Sequence, residues 1–93
     1  MRLEDTAKLM TSEDYKERFI AEYVQAAIRL TRLFLLLSKV NNGEAPSCFT
    51  PTCPISLLEA QFVTMLEYCH ILKQRATIEK IELPSIDESK SEQ

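Results

Sequence analysis

The side chains able to do chemistry in this 93-residue chain are few, and most are basic or aromatic. Tyr15, Lys16 and Arg18 stand close together near one end of the sequence, and Tyr68, His70, Arg75 and Lys80 cluster far downstream. Guanidinium groups make paired hydrogen bonds to phosphate oxygens, ammonium groups add positive charge, and aromatic rings stack on flat bases. Such a set suits a small anionic ligand that carries a base, provided the fold brings both groups together. Arg29 and Arg32, spaced i,i+3 on a stretch otherwise crowded with apolar residues, form a lesser basic pair. For any one of these cations the simpler alternative is a surface ion pair along a helix: Lys16 or Arg18 with Glu22, and Lys73 or Arg75 with Glu79.

Covalent catalysis needs a nucleophile, a base and an orienting acid converging in a pocket. His70 is the only histidine and Gly43 the only glycine, so no such triad can be assembled, and no catalytic residue is expected. Cys48, Cys53 and Cys69 with His70 are the only soft metal ligands. Their spacing is loose, and Cys69 reads as a small core residue rather than a zinc ligand. Neither a metal nor a cofactor is expected. An odd number of cysteines fits free thiols in a reducing compartment.

The net charge of -3 is unevenly placed. Residues 11–81 balance eight Lys/Arg against eight Asp/Glu, and the excess lies in Glu82, Asp87, Glu88 and Glu92 against Lys90. No basic stripe for duplex nucleic acid is present. The longest apolar run, Leu33–Leu37, falls far short of the roughly 20 residues that span a bilayer. Glu4 and Asp5 stand where a signal peptide would be apolar, so the expected compartment is the cytoplasm, with no membrane partner.

Two segments free of glycine and proline must position these residues. Phe19, Tyr23, Ala26, Leu30, Leu33, Leu37 and Val40 recur at steps of four and three, as do Leu58, Phe62, Met65, Cys69, Leu72 and Ala76. That period belongs to packed helices. The first helix is expected at about residues 11–39, opened by a Thr11–Asp14 capping box and stopped by Asn41-Asn42-Gly43. A loop at 40–55 follows, then a second helix at about 56–81 opened by Ser56 and Glu59. Residues 1–10 read as a leader and 82–93 as an acidic, disordered tail.

The expected fold is all-α, an antiparallel two-helix hairpin in which Leu33 falls near Phe62, Tyr23 near Leu72 and Phe19 near Ala76. A second apolar stripe then remains: Ile20, Val24, Ala27, Ile28, Phe34 and Leu35 on one helix, Val63, Leu66, Ile71 and Ile78 on the other. Burying a Leu or Ile is worth roughly 1.5–3 kcal/mol, and one hairpin cannot hide both stripes. Assembly into an oligomeric helical bundle is the expected solution. The alternative is that residues 1–10 cover the surplus.

TSEDYKERFIAEYVQ (Thr11–Gln25) and FTPTCPISLLEAQFVTMLEYCHILKQRATIE (Phe49–Glu79) resemble a family of small phage and prophage proteins related to a crAss-like phage protein. The resemblance spans about residues 10–81, and Met10 stands where that family usually starts. In fold the chain is also similar to the helical-hairpin sponges by which phages defeat CBASS and Thoeris immunity. Those proteins hold cyclic oligonucleotides or cyclic ADP-ribose derivatives in pockets between subunits without cleaving them. The resemblance implies a homo-oligomer that sequesters a small nucleotide-type signal in an infected bacterial cell. It carries no ligand-binding residue across position by position, so the candidate site stays with Tyr15, Lys16, Arg18, Tyr68, Arg75 and Lys80, chosen on their chemistry. The competing reading is a helical adaptor that offers its spare apolar stripe to a host protein.

Overall fold

The computed structural model describes residues 1–43 and 53–86, and all their regular structure is helical. A 3-10 turn, Leu3–Asp5, leads into the short helix α1, Thr6–Met10. The long helices are α2, Tyr15–Asn41, and α3, Ile55–Glu79.

The start of α2 differs from the expectation of Thr11. Thr11 instead closes α1, its hydroxyl donating to the Lys8 carbonyl at 3.3 Å. Asp14 is the N-cap, accepting from the Lys16 amide at 3.0 Å, while Ser12 donates its hydroxyl to the Glu17 carboxylate. The leader is thus a separate helix needing its own end, and the short turn lets α1 fold back on α2. Asn42 and Gly43 stop α2, with Gly43 at φ 72 and its amide on the Val40 carbonyl at 3.1 Å.

Ser56 does not cap α3 either. Pro54 is the N-cap, and its carbonyl accepts from the amides of Leu57 and Leu58 at 3.0 and 3.4 Å. Its φ of -61 and ψ of 145 point the chain into the first turn, so the helix begins before the serine. At the other end α3 stops at Glu79, two residues before the expected Ile81. Lys80 takes the left-handed conformation (φ 59, ψ 42), and the Ile81 amide reaches the Ala76 carbonyl at 2.8 Å. This is a Schellman closure, and it turns Ile81 inward beside Ala76.

Contacts between the long helices run in opposite order along them: Tyr15 meets Arg75, and Phe34 meets Phe62. Phe19, Leu72, Ala76 and Ile81 form the core cluster, with Ile20, Tyr23, Ala26 and Leu83 packed against it. Val24 and Ile28 are also fully buried, although they lie about 140° and 180° around α2 from Phe19. The segment of residues 1–10 packs along α2, and Gln25 donates to the buried Thr6 hydroxyl at 3.0 Å. On α2, therefore, the alternative cover holds in part: the leader packs on the side of Val24 and Ile28, while Ile20 joins the core cluster and Phe34 stays 51% exposed. On α3 the surplus stays in the open, with Val63, Leu66, Ile71 and Ile78 half exposed or more.

The expected disordered tail also changes in part. Residues 82–86 lie back on the helices, Leu83 against the core and the Ser85 carbonyl accepting from the Met1 ammonium at 2.6 Å. Residues 87–93 and most of the expected loop, Cys48 included, lie outside the described residues. No described helix is long and apolar enough to cross a membrane.

Candidate functional site

Tyr15 opens α2, and Phe19 and Glu22 follow one and two turns later on the same side of the helix. Tyr68 and Arg75 are likewise two turns apart on α3, about 10 Å along its axis. The two helices bring these spacings into register. Arg75 donates from Nη2 to the Tyr15 phenol oxygen at 2.8 Å. Its guanidinium carbon lies 4.9 Å from the centre of the Phe19 ring, and its Nε stands 3.6 Å from the Glu79 carboxylate. Tyr15 and Phe19 are tilted against each other, with ring centres 6.1 Å apart. Two turns further on, Tyr68 donates its hydroxyl to Glu22.

Arg75 is therefore held by a ring beneath, a phenol on one side and a carboxylate on the other. Chiefly the Tyr15 hydrogen bond, opposed by slight burial and helped by nearby Glu79 and Glu22, strengthens its hold on the proton. A cation fixed in this way is already oriented when an anion arrives, which lowers the ordering cost of binding.

The remaining candidates are less well gathered. Arg18 turns toward the α1–α2 connection, donating from Nη1 to the Ser12 carbonyl at 2.7 Å. Lys16 and Lys80 are exposed near the same end, and neither side chain makes an ion pair among the described residues. Of the six residues chosen from sequence, then, Tyr15 and Arg75 touch, Tyr68 lies on the same strip, and Arg18 is engaged elsewhere.

Two residues of the strip were not anticipated as site residues. By its spacing Phe19 belongs to the core seam, yet its ring also carries the guanidinium. By its spacing Glu22 is an ion-pair partner for Lys16 or Arg18, yet it accepts from Tyr68. The matching spacings Tyr15–Glu22 and Tyr68–Arg75 are visible in the sequence, and taken together with the antiparallel register they would have found both. The expected Arg75–Glu79 pair is present.

Beyond Tyr68 the strip widens into a shallow cavity of about 280 Å³ lined by Glu22, Gln25, Ala26, Arg29, Met65 and Tyr68. Its charged walls cancel, one acid against one base. Among the described residues no three His, Cys, Asp or Glu side chains gather closely enough to share a metal ion.

No curated protein and no solved structure matches the chain. A family match does exist, and it covers residues 13–78, from just before the Asp14 cap through nearly all of α3. Tyr15, Phe19, Glu22, Tyr68 and Arg75 all fall inside it, and by a match over more than two thirds of its length the chain belongs to the Sequestin family.

Proposed function

We propose that this protein sequesters a small anionic nucleotide, binding it without turnover as a phage-encoded sponge for a cyclic nucleotide or cyclic ADP-ribose-type immune signal. Arg75 carries the reading: a guanidinium preset by Tyr15, Phe19 and Glu79 at the rim of the helix pair. The family name, Sequestin, points to holding something rather than transforming it. In the proposed complex Arg75 takes a phosphate, Tyr15 or Tyr68 stacks on a base, and Lys16 and Lys80 add charge. Arg18 joins only if it releases the Ser12 carbonyl. The pockets are completed by self-association in the host cytoplasm, where the exposed face of α3 meets another copy.

Calorimetry against cyclic di- and trinucleotides and cyclic ADP-ribose isomers tests this. At least one ligand should bind, and Arg75→Ala should weaken it about 10- to 100-fold, since a hydrogen bond to a charged group is worth roughly 1.5–3 kcal/mol. Silence across the panel from folded protein removes the proposal.

One observation favours a second reading. Ile78 is 80% exposed and continues a row with Ile71 and Val63 on the outer face of α3. A helical adaptor would offer that row to a groove on a host protein. A single stoichiometric host partner in a pull-down, lost on Ile78→Asp, would favour it over sequestration.

A further inference from the structure

The α2–α3 pair has a second groove, on the side opposite Arg75. It is a cavity of about 230 Å³ whose lining includes Tyr23, Leu30, Leu66, Cys69, His70 and Lys73. The geometry points to this groove, rather than the Arg75 strip alone, as the seat of one nucleotide unit: the base against Tyr23, Leu30 and Leu66, the phosphate on Lys73 and His70. The inference rests on the sequestration reading and deepens it by naming a binding surface.

Charge is the first argument. The lining holds one cation, Lys73, an imidazole able to donate a hydrogen bond, His70, and no carboxylate. The cavity on the other side sets Glu22 against Arg29, and an incoming phosphate there meets an acid already bonded to Tyr68. His70 and Lys73 stand i,i+3 on one face of α3, close enough to share an anion. Both are exposed, and among the described residues neither side chain has a hydrogen bond or an ion pair.

The walls supply the second argument. Leu30, Leu66 and Ala27 are apolar, Tyr23 adds a ring, and Leu66 is left 50% exposed at the rim. Mostly apolar walls with a few convergent polar groups describe a small-molecule site. Cys69 at the floor adds no negative charge, because burial pushes its thiol up, only partly offset by Lys73. Ile86 closes part of the groove, carried there after the left-handed turn at Lys80.

Size supplies the third. Sites for whole drug-sized ligands run upward from roughly 300 Å³. This groove is smaller, so it takes a single nucleotide unit, and the rest of a cyclic dinucleotide would lie outside, against a second copy.

Adenosine monophosphate, followed by NMR on the full chain, is the probe. Tyr23 and His70 signals should move together, and Lys73→Gln should raise the dissociation constant at least tenfold, while Gln74→Ala, exposed and outside the groove's lining, changes it less than twofold. Absence of movement at millimolar nucleotide, or a Lys73→Gln protein that binds like the parent, overturns the inference. Inorganic phosphate alone moving Tyr23 as far as the nucleotide does would also overturn it, since the base would then add nothing. If the cyclic ligands bind through Arg75 and the mononucleotide ignores this groove, sequestration stands and the groove falls. If the mononucleotide binds here while the cyclic panel is silent, the groove stands and the proposed class of signal falls.

Discussion

At the scale of single residues, the Tyr15 phenol oxygen at 2.8 Å and the Phe19 ring at 4.9 Å hold the Arg75 guanidinium in place before any ligand arrives. Tyr15 and Arg75 could be chosen because their side chains suit an anion and the heptad seams, readable from spacing, set the start of α2 beside the end of α3. Arg18 offers the same chemistry but points away, because the Ser12 carbonyl in the turn between α1 and α2 captures it. Side-chain direction depends on such turns, and no periodicity encodes them. Asp14 illustrates the same point from the stability side. It caps α2 through the Lys16 amide, so Asp14→Ala should cost about 1 kcal/mol in urea unfolding, whereas Thr11→Ala should cost less. An equal or larger loss at Thr11 would restore the capping box read from sequence. Cys69 yields a prediction with a sign. Its thiol is raised above its ordinary 9.0, chiefly by burial, so the folded chain keeps that proton at pH values where the unfolded chain releases it. Stability is therefore undiminished below about pH 9 and falls as pH rises beyond it. Cys69→Ala loses some packing at neutral pH but should show a shallower fall in urea midpoint between pH 8 and pH 10. Parallel curves for the two proteins would show that the thiol plays no part in the alkaline loss.

At the scale of elements, the long helices were legible because Phe19 to Leu37 and Leu58 to Ala76 keep a steady seam, and Phe19, Leu72 and Ala76 do share one core cluster. What escaped was everything too short to have a period. The helix α1 has only five residues and shows itself only through burial of Thr6, Val24 and Ile28. The end of α3 escaped because lysine is a poor guide to a left-handed turn. At φ 59 Lys80 sits where glycine is at ease and other residues are strained, and the turn persists because it sends Ile81 into the core. Lys80→Gly should therefore stabilise the fold by about 0.5–1 kcal/mol, seen as a higher urea midpoint with an unchanged slope. If Lys80 also contributes to a ligand, the same variant binds more weakly while unfolding later, two shifts in opposite directions. A destabilised Lys80→Gly protein would mean that the lysine side chain, not the turn, holds this end together.

At the scale of the whole molecule, the question is how much apolar surface the fold leaves in water. The chain is a rod, 43 × 24 × 20 Å, with a radius of gyration of 15.0 Å. A compact chain of this length would be near 12 Å. Residues 1–10 relieve one side of α2, but on α3 Leu57, Val63, Leu66 and Ile71 stay about half exposed and Ile78 almost bare. Scattered exposed apolar residues are ordinary, but five along one helix are not. Two copies related by a twofold axis would each present this face, so every side chain in it is buried twice per dimer. Ile71→Glu with Ile78→Glu then removes four apolar groups from the interface and sets like charges across it. At about 1 kcal/mol for each half-buried side chain, the dimer dissociation constant should rise by at least about 100-fold. Light scattering over a concentration series reads this directly, and circular dichroism should show helix content unchanged, because neither residue belongs to the core cluster. The parent protein should be heavier than one chain throughout the micromolar range. If it stays a single chain at high concentration, the α3 face is not a self-interface, and a ligand pocket that depends on a neighbouring copy has no second wall.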